Sequence, residues 1–301
     1  AEPTRYQGAL GGFSRASHAV TQVDTWIECP FRYFAQHVLG LDDEREQEPG
    51  LTPRQRGELV HRIFERFYAE WGAGGRGAVT PEGIGEARAT FARVVEAELA
   101  GIDAADAAIE RTRLLGSAAA PGMGDLVLDL EAARGLEVVE RRLEERFEGR
   151  FPVTAADGST HVVGLRGKAD RIDLLEGDRL DLVDYKTGRA PGRRAVQLPV
   201  YAHVAELRLH GHLGRAWRAG AADYVAFRGR PVTRALGRTP GERDERLRAA
   251  QAALVHAVSA IAAGEFPPRP AELRICSWCA YDAVCRKEYV GAGEGEPDGE
   301  A

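Results

Sequence analysis

The sequence predicts a mixed α/β fold in which amphipathic helices precede a set of hairpin-linked strands, followed by a helix, a strand and a long final helix. Three observations carry this. Apolar residues recur at helical spacing from Thr21 to Trp71, the pattern turns to strands with tight turns from Glu137, and helical periodicity returns twice after Tyr185. At 301 residues, with 44% apolar and 29% charged content, the chain can bury a sizeable core.

Thr21 to Leu39 reads as a helix, with Val23, Trp26, Ile27, Phe31, Phe34 and Val38 on one face. Thr21 and Asp24 resemble a weakened capping box, and Pro30 predicts a kink. After an acidic loop (Asp42 to Gly50), a second helix begins near Pro53 and places Leu59, Ile63, Phe67 and Trp71 on one stripe, with His61 off it. Gly72 to Gly77 is a linker and Pro81 to Leu99 a third helix. The Ala- and Gly-rich stretch from Gly101 to Gly124 predicts helical pieces on flexible loops without a second core. Asp157-Gly158 then joins a strand around Val138 to Val153 to one from His161 to Leu175, and Glu176-Gly177-Asp178 turns into a third strand, Leu180 to Tyr185. Ala195 to Leu209 is a helix, Ala222 to Phe227 a strand and Glu242 to Ala263 a long helix. The chain therefore divides into an extension (1–20), a helical region carrying Cys29 and His61 (21–136), a strand-rich core (137–266), a cysteine segment (267–290) and a tail expected to be disordered (291–301).

The net charge of −6 argues against a broad polyanion-binding surface, so any nucleic-acid contact must be local. No apolar run is long enough to span a membrane and no signal-peptide pattern opens the chain, which predicts a cytoplasmic protein without membrane contact. The start at Ala1 and the single methionine, Met123, suggest a piece of a longer protein. All but three of the 40 basic residues are arginine, so Lys168, Lys186 and Lys287 stand out.

The most informative stretch is Gly167-Lys168-Ala169-Asp170-Arg171-Ile172-Asp173, a turn, and Asp181-Leu182-Val183-Asp184-Tyr185-Lys186-Thr187-Gly188. Alternate strand residues share a face, so Asp184 and Lys186 project together and Tyr185 points away. Hairpin pairing brings Asp170 within reach. Phosphodiester hydrolysis at neutral pH needs a hard cation, and Mg2+ is held by one or two carboxylates plus water and substrate, a role that Asp170 and Asp184 fit. A lysine two residues from a ligand can orient water and stabilise charge on the phosphorane, which the fixed fork of arginine suits less well. Each piece alone is common: Asp170, Asp173, Asp181 and Asp184 also read as solvated strand-edge and turn acids, His61 as a helix-surface histidine and Tyr201 as core packing.

Four motifs taken together resemble the nuclease domains of the RecB and AddB family within the PD-(D/E)XK superfamily. They are Arg56-Gly57-Glu58-Leu59-Val60-His61, Gly167 to Asp173, Asp184-Tyr185-Lys186-Thr187-Gly188, and Gln197-Leu198-Pro199-Val200-Tyr201, in the family's order. The resemblance implies a restriction-endonuclease-like core that hydrolyses single-stranded DNA with Mg2+ (or Mn2+). It implies that His61, Asp170, Asp184 and the Tyr185 carbonyl bind the metal, that Lys186 serves the nucleophile, and that Gln197 and Tyr201 face the substrate strand. Pro199 departs from a regular helix interior and would fit if the helix begins there. Arg189, Arg193 and Arg194 follow the catalytic strand as candidate phosphate contacts. No G-x-x-x-x-G-K-[ST] loop is present, so the motor of a helicase-nuclease acting on DNA ends would lie on another segment or a partner. A free-standing nuclease similar to those of CRISPR adaptation, or a non-catalytic DNA-binding module, are the alternatives.

Cys29 stands near the start, and Cys276, Cys279 and Cys285 form a C-x2-C-x5-C run near the end. In a cytosolic chain such spacing points to metal or redox chemistry, and four thiolates suit zinc or a cubane alike. One cysteine ahead of the core and three behind it is the layout of the iron-sulfur nucleases of the AddB group. That resemblance implies a 4Fe-4S cluster on all four, acting as a structural staple across about 245 residues.

Overall fold

The computed structural model describes residues 11–13, 15–41, 50–285 and 287, so the expected tail and most of the acidic loop lie outside the described residues. A two-residue strand, β1 (His18–Ala19), leads into α1 (Val20–Glu28). Cys29 is extended, with φ −164° and ψ 114°, and α2 (Pro30–Tyr33) restarts the helix, ending in a π-helical turn (Phe34–Val38). The break falls where proline cannot donate to the preceding turn but suits the first position of a new helix. The capping box at Thr21 does not form. α1 begins after Ala19 without a side-chain cap, and Asp24 is used elsewhere.

α3 (Pro53–Ala73) is capped reciprocally by Thr52 and Gln55 and buries the predicted stripe. It packs on α4 (Ile84–Leu99), against which α5 (Ala104–Leu115) and α6 (Met123–Arg134) pack in turn. Contrary to the sequence expectation, the stretch from Gly101 to Gly124 does join a second apolar cluster, through Ala107 and Leu114. Its small residues are what permit this: a Cβ on Gly124 would lie 2.3 Å from the Phe91 ring, so only glycine lets α6 approach so closely.

The sheet contains β1, β2 (Val138–Thr154), β3 (Thr160–Leu175), β4 (Arg179–Lys186), β5 (Arg218–Ala226) and β6 (Val232–Arg234). α7 (Gln197–Arg208) crosses between the parallel pair β4 and β5, and α8 (Pro240–Ala263) follows β6. β3 is the organising strand. Antiparallel β2 runs along one edge, while the other edge is shared by β4, opposite Arg171–Leu175, and β1, opposite Leu165 and Arg166. Gly167 to Asp170 lie between those two pairings. One layer, including α1, α7 and α8, covers one face of the sheet, and α3 to α6 cover the other. Pro199 falls in the first turn of α7, where no intrahelical N–H is required, and this moves the helix start from the expected Ala195 to Gln197.

Both long strands change face at the same level. On β3, Val163, Leu165 and Ala169 pack into the α1/α7/α8 cluster, and so do Ile172 and Leu174, so alternation slips by one between 169 and 172. On β2, Phe147, Phe151 and Val153 pack into that cluster whereas Leu143 packs into the other. Glu144, between them, has φ +50°, a left-handed conformation that costs a non-glycine residue ~1–2 kcal/mol. Below this level the face toward α3 to α6 carries a buried ion network. Arg171, fully buried, reaches Glu131 (2.7 Å), Asp173 (3.0 Å) and the Tyr185 hydroxyl (2.9 Å). Asp173 and Asp181 are thus structural acids: the first also holds Arg141 at 2.6 Å, and the second holds Arg179 and accepts the Ala221 N–H.

Candidate active site

The slip in β3 delivers Asp170 to the end of β4, where the site assembles. One Asp170 oxygen accepts the Tyr185 backbone N–H at 2.8 Å, and the other lies 3.2 Å from His61 Nδ1 on α3. Asp184 and Lys186 share a face as predicted, with Lys186 Nζ 2.7 Å from Asp184 Oδ2, while Tyr185 turns away and stacks on Phe64 at 4.5 Å. Gln197, the first residue of α7, ties them together: its Nε2 donates to Asp184 Oδ1 (2.8 Å) and its Oε1 accepts from Lys186 (3.0 Å). Two buried carboxylates and a lysine therefore converge, and the electrostatics register their crowding. Burial and the neighbouring Asp170 push the Asp184 carboxyl up to about 6, against the pull of Lys186. Burial would lower the Lys186 ammonium, but Asp184 and Asp170 hold it above its usual range.

Glu144 completes the constellation. Its left-handed backbone sets its carboxylate 3.5 Å from His61 Nδ1 and in an ion pair with Lys168. Burial opposes the charge on His61, yet Asp170 and Glu144 raise its pKa to about 10. His61, Glu144 and Asp170 each offer a ligand atom within 4.8 Å of the others, a hard-donor set with one imidazole that fits a divalent cation. We expect Glu144→Gly to leave the melting temperature unchanged or higher, by relieving up to ~1 kcal/mol of backbone cost, while weakening divalent-cation binding ~10-fold or more in a calorimetric titration. Unchanged cation affinity would remove Glu144 from the candidate metal site.

The constellation opens into a groove of about 750 Å³ lined by Thr21, Arg146, Arg166, Gly167, Lys168, Tyr201 and Arg208 among others. Gly167 has no room for a side chain: a Cβ would lie 2.5 Å from the Phe147 ring and 2.8 Å from that of Tyr201. Gly167→Ala should destabilise the fold by ~1–3 kcal/mol in denaturant titrations and displace Tyr201 from the groove wall; a variant as stable as the parent would show that the two rings yield freely.

A sequence profile described as the PD-(D/E)XK nuclease superfamily matches residues 17–286. The chain belongs to that superfamily. It is 29% identical over 255 residues to a subunit of the ATP-dependent helicase/deoxyribonuclease of Moorella thermoacetica, covering 76% of this chain and 21% of that protein. The protein of the same name from Clostridium acetobutylicum is 26% identical over 197 residues, 56% of this chain and 15% of the relative. The chain thus spans about a fifth or less of these relatives. Among solved structures, that of SSO0001 matches at a TM-score of 0.35 and 12% identity, over 91% of this chain and 87% of that one, too slight a likeness to argue from.

Within this PD-(D/E)XK domain the structure brings together His61, Asp170, Asp184, Tyr185, Lys186, Gln197 and Tyr201. It does not bring Arg189, Arg193 or Arg194 to the groove. Arg193 lines a separate cavity with Tyr224 and Arg246, and its carbonyl accepts a hydrogen bond from Arg246. The loop after β4 leads away from the carboxylates. The basic residues that do flank them are Arg146, Arg166, Lys168 and Arg208, from β2, β3 and α7. Arg166, Lys168 and Asp170 recur every second residue, a signal the sequence carried. Nothing in it marked Glu144, whose reach depends on a positive φ.

The four cysteines lie on two segments that the backbone brings side by side. Cys29 is buried at the α1–α2 junction, and Cys276, Cys279 and Cys285 lie in and after a 3-10 turn (Leu273–Trp278), all with free thiols. Burial raises the Cys29 thiol, and Cys285 and Cys279 raise it further; burial likewise raises Cys285, with Cys279 and Cys276 adding to it. These thiols lie within electrostatic range of one another, yet among the described residues no three of them come within 4.8 Å as His61, Glu144 and Asp170 do. The backbone closes the same seam, with Ala271 N–H donating to the Glu28 carbonyl (2.7 Å) and Trp26 Nε1 to that of Glu265 (3.0 Å).

Proposed function

We propose that this domain is a Mg2+-dependent deoxyribonuclease that hydrolyses phosphodiester bonds of single-stranded DNA, as the nuclease part of a cytoplasmic helicase-nuclease processing double-strand breaks. The observation that carries the reading is the convergence of His61, Asp170, Asp184 and Lys186 in a groove whose walls carry Arg146, Arg166, Lys168 and Arg208, with Glu144 set against His61. When bound, the cation would be held by His61, Asp170 and Asp184 with the Tyr185 carbonyl, or by Glu144 in addition, and would supply charge neutralisation at phosphate and a more acidic water. Tyr185 is fixed for this by Asp170 on its N–H and by Arg171 on its hydroxyl. Lys186, steadied by Gln197, stands where it can orient the attacking water and donate to the oxyanion that develops. The groove arginines neutralise flanking phosphates without reading bases. The names of the AddB-like relatives support DNA as the substrate and a helicase as partner. For the cysteines we propose a 4Fe-4S cluster on Cys29, Cys276, Cys279 and Cys285 that staples α1 to the C-terminal segment; a brown, anaerobically purified protein absorbing at about 400 nm supports it, and stoichiometric zinc without iron refutes it.

The test is degradation of end-labelled single-stranded DNA by the purified chain in Mg2+ and in EDTA, with Asp170→Asn beside the parent. Mg2+-dependent cleavage lost in the variant is the expected result. Bound but uncleaved DNA in the parent would favour a strand-guiding module.

A further inference from the structure

α7 starts at the active site, yet its own N-cap residue, Val196, provides no side-chain cap. The first two amides of the turn are instead taken by a carboxylate from a helix about 170 residues earlier in the chain. Asp24 Oδ1 accepts the Val196 N–H at 2.6 Å and Oδ2 accepts the Gln197 N–H at 3.2 Å. Asp24 lies on α1 beside Val23 and Trp26, which anchor that helix in the core, so the carboxylate is held by packed structure. The residue whose backbone it grips is the one whose side chain bridges Asp184 and Lys186. An α1 shift would therefore move Gln197 and, with it, the two groups it aligns. A helix start needs a cap for stability, but any N-cap residue on α7 itself could supply one; a bidentate grip from another element fixes the position of the turn as well as its hydrogen bonds.

We propose that Asp24 is a positioning residue for strand cleavage, acting through Gln197 to hold Asp184 and Lys186 in register; this rests on the nuclease reading above. Because misplacement of an aligned group by about 1 Å can cost ~100-fold, Asp24→Ala should lower kcat by ~10- to 100-fold with KM for single-stranded DNA changed less than about threefold. Asp24→Asn, which keeps one acceptor oxygen, should fall between the two.

The deciding experiment is a cycle of Asp24→Ala, Gln197→Ala and the double variant, with single-turnover cleavage in Mg2+ and amide hydrogen exchange read on each. If Asp24 works through Gln197, the double variant is no slower than Gln197→Ala alone, and Val196 and Gln197 amides lose protection in Asp24→Ala while α8 keeps its own. Additive losses in rate, or an Asp24→Ala variant with parental kcat, overturn the proposal. A parent chain that does not cleave at all fails the nuclease reading instead, and is distinguishable because the exchange at Val196 and Gln197 is then still altered.

Discussion

Replacing Lys186 by alanine is expected to lower Mg2+-dependent cleavage by ~10²- to 10³-fold, the scale of losing one donor aimed at developing charge. The geometry makes the effect larger than the loss of one contact. Lys186 is the cation 2.7 Å from a buried Asp184 that already shares its space with Asp170. Without it Asp184 would retain a proton more readily and serve poorly in the metal-binding role proposed for it. Lys186→Arg should recover little, because a planar fork cannot reproduce a point charge seated between Asp184 Oδ2 and Gln197 Oε1. Asp184→Asn should abolish cleavage while leaving the melting temperature equal or raised, since it removes one of two crowded buried charges. Activity of Lys186→Ala within threefold of the parent, in single-turnover assays at saturating Mg2+, would eliminate this role.

The second large effect is on stability. In the proposed cluster, Cys29→Ser removes the one thiol donor at the α1–α2 junction, the other three lying in the C-terminal segment. A cross-link closing a loop of over a hundred residues stabilises by roughly 4–5 kcal/mol in the chain-entropy account, so we expect a melting temperature lower by ~10 °C or more and early exposure of the seam around Ala271. The same loss should follow chelation or oxidation of the parent. A Cys29→Ser variant that melts with the parent would show that packing of Trp26 and Tyr33 alone holds the two ends together.

The order of helices, strands and crossover was legible in the sequence because each long element carries its own period, and so were Asp184, Lys186 and the outward turn of Tyr185. What escaped was set by tertiary contact. β1 and β6 are too short to show alternation. Asp24 looked like a local cap on α1 because its carboxylate lies near Thr21 in sequence, whereas its partners are on α7. The arginines after β4 were near Lys186 along the chain but not in space, while Arg146, Arg166 and Arg208 reach the groove from three elements. The slip in β3 was written in the sequence, as apolar residues at 163 and 165 and then at 172 and 174, but a one-residue offset is easily absorbed into one long strand.

That slip constrains how the domain can change. Deleting Glu144 alone would make β2 regular with Leu143 and Phe147 still on their present faces and leave Asp170 as a one-residue bulge on β3, and deleting Asp170 alone would leave Glu144 as the bulge on β2. Only loss of both residues would restore two regular strands, and it would remove a carboxylate of the site at the same stroke. A lineage that makes both strands of this hairpin regular must therefore lose the Asp170 position together with the left-handed residue opposite it.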